Sequence, residues 1–343
     1  MGETVEQQLA AWVKQQLSQE QAVTLQALSG DAGFRRYFRV SNSQPPLMAV
    51  YAPPTTENSE LYLAVSQMLA SGSVRVPQVQ AVDLQRGFLL VEDCGDQLLL
   101  SALNPDSVDA FYHQAMDMLV ALQAVAVPEG ALPHYDGQRL WDERALFPTW
   151  FVQGLLDQPW GRNEQTLLDE CFDWLVVSAL EQPQALVHRD FHARNLMLHS
   201  HSQPAGELVT IDFQDAVTGP ITYDLVSLLR DCYIRWQPAQ VEKWALAYRK
   251  KLIQKGRQAG VSDQQFIQWF DLMGLQRHIK VLGIFARLFL RDGKAGYLHD
   301  LPLVLHYTLT VAAKYPSAAH FVEWMEQRIL PACRRQSWWK SLP

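Results

Sequence analysis

Asp190, Asn195 and Asp212 are the residues of this chain whose types and spacing could do chemistry. The first two lie in Val187-His188-Arg189-Asp190-Phe191-His192-Ala193-Arg194-Asn195, and the third in Ile211-Asp212-Phe213, seventeen positions after Asn195. Transfer of a phosphoryl group from a metal nucleotide requires such a set. One carboxylate orients the acceptor hydroxyl and takes its proton, while an amide oxygen and a second carboxylate hold the Mg²⁺ on the phosphates. Asp190 is therefore the candidate base, Asn195 and Asp212 the candidate metal ligands, and ATP and Mg²⁺ the cofactors this chemistry takes. The competing reading is a polar loop with capping aspartates. A His-x-Asp with an Asn five residues later arises by chance in a chain of this length; adding a strand that runs into Asp-Phe at a hairpin's distance makes coincidence harder to sustain.

The elements around the motif suit that task. Leu186-Val187 and Leu196-Met197-Leu198 are short apolar runs with the look of strand ends, and Leu208 to Ile211 is a strand leading into Asp212. A hairpin turning through His199 to Gly206 would bring Asn195 and Asp212 close enough to share one metal. Upstream, a helix is expected over Val5 to Gln16 and strands over 25–28, 37–40, 47–51, 79–82 and 87–91, with an amphipathic helix over Asn58 to Leu69. Glu92-Asp93-Cys94-Gly95 breaks the apolar run. Beyond it helical spacing dominates, over 109–125, 164–180, 238–259, 263–290, 300–313 and 318–329. The fold class expected is α+β: residues 1–92 form a small antiparallel sheet domain with one main helix, residues 93–343 a larger, mostly helical domain, with a hinge at about 91–95.

Composition fits an ordinary globular protein: 343 residues, 48% hydrophobic and 19% charged. A net charge of −7 argues against nucleic acid, whose phosphates require a basic face. The four cysteines, Cys94, Cys171, Cys232 and Cys333, form no Cys-x-x-Cys pair, so buried reduced thiols are expected. The polar, acidic N-terminus does not fit a cleavable signal peptide, and Arg277, His278, Lys280 and Arg287 interrupt the apolar stretch Leu272 to Leu290, which rules out a membrane span there. A cytoplasmic protein without an obligate protein partner is expected.

The spacing Asp190-x-His192-x-x-Asn195, followed by Asp212-Phe213-Gln214-Asp215-Ala216, Gly219-Pro220 and Tyr223-Asp224-Leu225, resembles the aminoglycoside phosphotransferase branch of the protein-kinase-like superfamily. Three further segments narrow the resemblance: Asp31 to Arg39, Glu143 to Phe151 and Met273 to Arg287. They are similar to the bacterial N-acetylmuramate/N-acetylglucosamine anomeric kinases of cell-wall recycling. The resemblance implies a two-lobed kinase-like fold, ATP as donor and the C1 hydroxyl of an amino sugar as acceptor.

Against that pattern the remaining candidates take their places. The turn Ser29 to Arg36, with Gly30, Asp31 and Gly33, occupies the position of a nucleotide-covering loop whose backbone N–H groups approach phosphate. Arg35, Arg36 and Arg39 strengthen it, with solvated strand charges as the alternative. Strand Leu47 to Tyr51 lacks the lysine that normally meets the phosphates, so an arginine of the preceding strand substitutes or nucleotide binding weakens. Its acidic partner, Glu57 or Glu60, is equally open. Adenine would use the carbonyl of Glu92 and the N–H of Cys94. Asp215 serves a second metal or orients its loop; His188 and Asp224 are structural, with Asp224 an N-cap that braces the catalytic loop.

For the substrate, an aromatic platform, hydrogen-bonding groups and a cation for a lactyl carboxylate are wanted. His192, Glu143, Trp150, Arg277, His278 and Lys280 could supply them. Residue by residue, Arg277 and Lys280 read more simply as a solvated helix face. The alternatives in function are a kinase of another small alcohol, such as an aminoglycoside, choline or a ketosamine, and a catalytically silent nucleotide-binding module.

Overall fold

In the computed structural model, which describes residues 3–18, 22–28, 34–200, 206–257 and 260–340, the first helix opens at Thr4. Its side chain accepts the N–H of Gln7, and the Gln7 side chain accepts the N–H of Thr4, closing a capping box over α1 (Val5–Gln16). The chain continues through β1 (Leu25–Ala27), β2 (Arg36–Val40), β3 (Leu47–Tyr51), α2 (Ser59–Ser71), β4 (Val79–Asp83), β5 (Phe88–Glu92), α3 (Leu99–Ala102) and α4 (Val108–Ala124). Then follow α5 (Gly137–Glu143), a π-helix (Phe147–Leu155), α6 (Arg162–Glu181), β6 (Gln184–Val187), β7 (Leu196–Leu198), β8 (Leu208–Thr210), β9 (Val217–Pro220) and α7 (Tyr223–Leu229). The last part holds α8 (Pro238–Gln254), α9 (Asp263–Asp292), α10 (Leu301–Ala312), α11 (Ala319–Trp324) and α12 (Leu330–Arg334).

Two compact units result, one of Met1–Phe111 with Ala193–Asp215, the other of Tyr112–His192 with Ala216–Pro343. The first holds an antiparallel sheet in the order β1-β2-β3-β5-β4. Side chains alternate across a strand, and the two faces collect different partners. Leu47 and Ala49 pack with Phe38, Phe88 and Leu90 against Leu9, Trp12 and Val13 of α1. Met48 and Val50 pack with Leu89, Val91 and Tyr37 against Tyr62 and Leu63 of α2. With both faces covered, β5 can be apolar without interruption from Phe88 to Val91. The β7–β8 hairpin joins this unit through the Leu198 N–H on Gln97, a bridge between Leu98 and Met197, and the Leu100 N–H on the Ala193 carbonyl.

In the second unit α9 is the axis. Ser262 caps it by accepting the N–H of Gln265, and Gly293, at φ 69°, ends it. From Phe270 to Gly283 every residue is buried, because the π-helix, α6, α7 and α10 all pack on it. Gly283 lets the axis approach so closely that a Cβ there would lie 2.4 Å from the carbonyl carbon and oxygen of Leu146.

Several expectations are corrected. Arg277 and Lys280 are not a solvated face; each is about 5% exposed, within a helix surrounded on all sides. α8 stops at Gln254, short of the expected Ala259, since Gly256 at φ 75° lets its own N–H reach Ile253 and that of Arg257 reach Leu252, a Schellman closure. The expected helix 318–329 is broken into a 3₁₀ turn (Pro316–Ala318), α11, a π-turn (Met325–Ile329) and α12. β9 was not foreseen: ending in Gly219-Pro220, it pairs antiparallel with β6. All four cysteines are free and buried, and Trp338 packs onto the helical core. No helix among the described residues is long and apolar enough to cross a membrane.

Candidate active site

The metal-ligand candidates flank the β7–β8 hairpin. Apolar side chains, all buried in β8, set the register Leu196↔Thr210 and Leu198↔Leu208, and the Ile211 N–H closes it on the Asn195 carbonyl at 3.0 Å. Asn195 and Asp212 therefore leave the hairpin side by side, with Nδ2 and Oδ2 3.5 Å apart. Asp212 sits at φ 63°, a region that side chains with a Cβ enter at a cost of about 1–3 kcal/mol. Two neighbours hold it there. Phe213 is buried and stacked on Tyr62 (centroids 5.0 Å, 18° between planes), and the Gln214 amide donates to Asp212 Oδ1 at 2.7 Å. The donor set fits a hard divalent cation: one carboxylate and one amide, whose oxygen faces the carboxylate once the amide is turned over.

The candidate base belongs to the other unit. After β6 the chain turns through His188 and Arg189 into Asp190. Asp224, on α7, accepts the N–H of His188 at 2.7 Å and that of Arg189 at 3.0 Å, and Arg189 lies at φ 78°. Asp224 is the second residue of α7, behind Thr222 at the cap, so the expected N-cap role is corrected while the brace on the loop is found. Burial pushes its carboxyl up to about 7, opposed by the two N–H donors and helped by Asp190 nearby. Asp190 itself stays 47% exposed, with Arg277 Nη2 3.8 Å away. Burial of its carboxyl is outweighed by the cationic groups around it, His192 first, then Arg277 and Lys280, which hold it below the usual carboxylate range.

Behind Asp190 stands a buried polar cluster. Glu143 receives Arg189 Nη2 at 3.2 Å, Lys280 Nζ at 3.2 Å and the Tyr135 hydroxyl. Lys280 donates to the Tyr223 hydroxyl at 2.6 Å, and Arg277 Nε to Ser227 Oγ at 2.7 Å. Desolvation would raise the Glu143 carboxyl, but Lys280, the Tyr135 hydrogen bond and Arg189 bring it below its ordinary value. Three cations, Arg189, Arg277 and Lys280, here face the carboxylates of Glu143 and Asp190. Tyr135 and Ser227 carried no local signal in the sequence, and Tyr223 stood only in the Tyr223-Asp224-Leu225 segment, with no role assigned to it. Arg189 and Gln214 did, by standing next to Asp190 and two residues after Asp212.

Other candidates are placed elsewhere. His278 is fully buried, bonded to the Arg230 carbonyl at 3.1 Å and stacked on Tyr307, and burial pushes it down to about 3; it is a neutral core residue. Trp150 packs against the helical core. The His192 ring lies edge-on to Tyr233, and the backbone N–H of His192 donates to the backbone carbonyl of Asp190 at 3.0 Å. In the sheet unit, Arg35 pairs with Glu57, while Glu60 is exposed. Arg36 pairs with Glu6, and Arg39 with Asp93 and Asp96. The Glu92 side chain is held by Arg75 at 2.5 Å and His199 at 2.9 Å, and the Cys94 carbonyl accepts the Ser200 N–H. Gly30, Asp31 and Gly33 lie outside the described residues.

A family model described as the phosphotransferase enzyme family, APH, matches residues 24–259. The chain belongs to this phosphotransferase family. It is 39% identical over 326 residues to a protein of Pseudomonas putida named N-acetylmuramate/N-acetylglucosamine kinase, covering 92% of this chain and 94% of that one. A protein of the same name from Pseudomonas aeruginosa is 41% identical over 295 residues, 86% of each chain. Among solved structures, the ADP-bound aminoglycoside phosphotransferase APH(2'')-Ib superposes with a TM-score of 0.59 at 13% identity, covering 89% of this chain and 98% of that chain. The ethanolamine kinase of Plasmodium vivax gives 0.61 at 12% identity, covering 83% and 82%. At such identities these structures speak for the fold: the phosphotransferase shares the protein-kinase-like architecture, with a small antiparallel sheet unit and a larger helical one.

Proposed function

We propose that this phosphotransferase moves the γ-phosphoryl group of ATP to an N-acetylated amino sugar, N-acetylmuramate or N-acetylglucosamine, at the anomeric C1 hydroxyl. The names of its relatives at about 40% identity support the sugar. The observation that carries the chemistry is the Asp190 loop, a half-exposed carboxylate kept ionised beside Arg277 on a backbone pinned by Asp224. Asp190 takes the proton of the sugar hydroxyl as its oxygen bonds to the γ-phosphorus. The bond from that phosphorus to the β-phosphate oxygen breaks, and ADP leaves with the electron pair. Mg²⁺, when bound, neutralises charge on the β- and γ-phosphates, and Asn195 and Asp212 are the residues that would hold it. Adenine takes the backbone groups at Glu92 and Cys94.

Arg277 is also the cation offered to the lactyl carboxylate of N-acetylmuramate, since Lys280 is committed to Glu143 and Tyr223. The excess of cations in the cluster disfavours choline, ethanolamine and aminoglycosides, all positively charged. The reaction belongs in the cytoplasm, where ATP is supplied.

The test is ADP release from Mg-ATP with N-acetylmuramate, N-acetylglucosamine, choline or kanamycin. Turnover with an acetylated sugar and none with the cationic alcohols is expected. Turnover confined to choline or kanamycin would overturn the substrate assignment, and none with any acceptor would favour a silent nucleotide-binding module.

A further inference from the structure

We propose that Arg35, anchored by Glu57 and Gln214, is the cation that meets the nucleotide phosphates, in place of the lysine that β3 lacks. The inference rests on the kinase reading above.

In a kinase site a lysine on the third strand contacts the α- and β-phosphates and is held by a glutamate ion pair. β3 here reads Leu47-Met48-Ala49-Val50-Tyr51 and offers no charge. The charge must come from a neighbour on the correct face of the sheet. β2 pairs with β3 in the register Arg36↔Tyr51 and Tyr37↔Val50. Tyr37 and Val50 belong to the α2 face, Tyr51 and Phe38 to the α1 face.

By alternation Arg35 shares the side of Tyr37, and its contacts agree. Its Nε lies 3.0 Å from Glu57, immediately before the cap of α2, and its guanidinium lies over the Tyr62 ring at 5.0 Å. Arg36 faces the other way, paired with Glu6 of α1 and lying over Phe38. Arg39 returns to the first side, but Asp93 and Asp96 already balance its charge.

A second contact ties Arg35 to the metal hairpin. Its Nη1 donates to Gln214 Oε1 at 3.0 Å, and Gln214 Nε2 donates to Asp212 Oδ1 at 2.7 Å. The amide is thus oriented at both ends, oxygen to the cation and nitrogen to the anion. Glu57, Arg35, Gln214, Asp212 and Asn195 form one continuous polar chain. A guanidinium carries five N–H donors, so engaging Nε and Nη1 leaves donors for phosphate oxygens. Glu57 fixes the fork, and Gln214 keeps it in register with the carboxylate proposed to hold the metal.

Calorimetric binding of ADP and of adenosine to the full chain tests this without turnover. Arg35→Ala is expected to weaken ADP about 10- to 100-fold, the loss of charge-assisted hydrogen bonds, and to leave adenosine unchanged. Arg36→Ala keeps its ADP affinity. Arg35→Gln, which preserves length and polarity, carries the same expectation should the alanine variant not fold. Unchanged ADP affinity in either Arg35 variant overturns the assignment, as does an equal loss of ADP and adenosine. Failure of the unsubstituted protein to bind ADP overturns the kinase reading itself.

Discussion

The Asp224 carboxylate accepts the backbone N–H of Arg189 at 3.0 Å, and Arg189 is the residue that turns the chain into Asp190 at φ 78°. A buried acid on one helix thus stabilises a backbone conformation that a residue with a Cβ otherwise avoids, directly before the candidate base.

Asp224→Asn replaces one acceptor oxygen with a donor, and a loss of about 1–3 kcal/mol is expected from the N–H left unpaired. The pH dependence has a definite sign. The folded carboxyl sits at about 7 against an ordinary 3.8, so the folded chain keeps a proton that the unfolded chain sheds. Its stabilising contribution is whole below the lower value and is lost as pH rises through the higher one. Asparagine does not titrate, so the Tm deficit of the variant should shrink between about pH 5 and about pH 8. A deficit that widens over that range would contradict the raised value.

Asp190→Asn should lower kcat about 10²- to 10⁴-fold with ADP affinity retained, the signature of a lost base. Arg277→Gln tests the field on that base. Removing the guanidinium 3.8 Å away lets the Asp190 carboxyl rise, so the acid limb of the kcat profile moves to higher pH. A limb that stays in place would assign Arg277 to packing alone.

Asp212→Asn removes the carboxylate that lies beside Asn195 and should raise the Mg²⁺ concentration for half-maximal activity at least about 10-fold. Chelation of the metal should abolish turnover in the unsubstituted chain, with restoration on adding Mg²⁺. An unchanged Mg²⁺ requirement in the variant would remove Asp212 from the metal site.

Lys280→Met leaves Glu143 buried with one cation fewer. Breaking such a pair costs about 3–5 kcal/mol, to be read as a drop in Tm. The double variant with Glu143→Gln should recover part of it, and no recovery would argue that the two groups do not interact.

Gly283→Ala presses a methyl group into the Leu146 backbone, which cannot swing aside as a side chain can. A loss of about 1–3 kcal/mol or more is expected. Gly260→Ala, with open space around the added carbon, is the control that should cost far less.

The local features were legible in the sequence. α1, α2, α8 and α9 begin at Val5, Ser59, Pro238 and Asp263, within one residue of where helical spacing put them, because that spacing is a short-range pattern. The juxtaposition of Asn195 with Asp212 was legible for the same reason, a hairpin being a short-range object. What escaped was set at long range. Arg277 and Lys280 look like any pair of helix charges until Glu143, Asp190 and Tyr223 are brought around them. The choice between Arg35 and Arg36 depends on which face α1 covers, and periodicity alone does not specify this. β9 was hidden by the Gly219-Pro220 pair that ends it.

The sheet unit is written in two pieces, and this matters on the ribosome. Gln97, Leu98 and Leu100 have their partners in Leu198, Met197 and Ala193, and the unit is not complete until Asp215 has been made. At 5–20 residues per second, the stretch from Phe111 to Asp215 takes roughly 5–20 s to synthesise. Through that interval the nascent unit lacks its β7–β8 hairpin, and the candidate metal carboxylate, Asp212, is among the last four residues of the unit to be made.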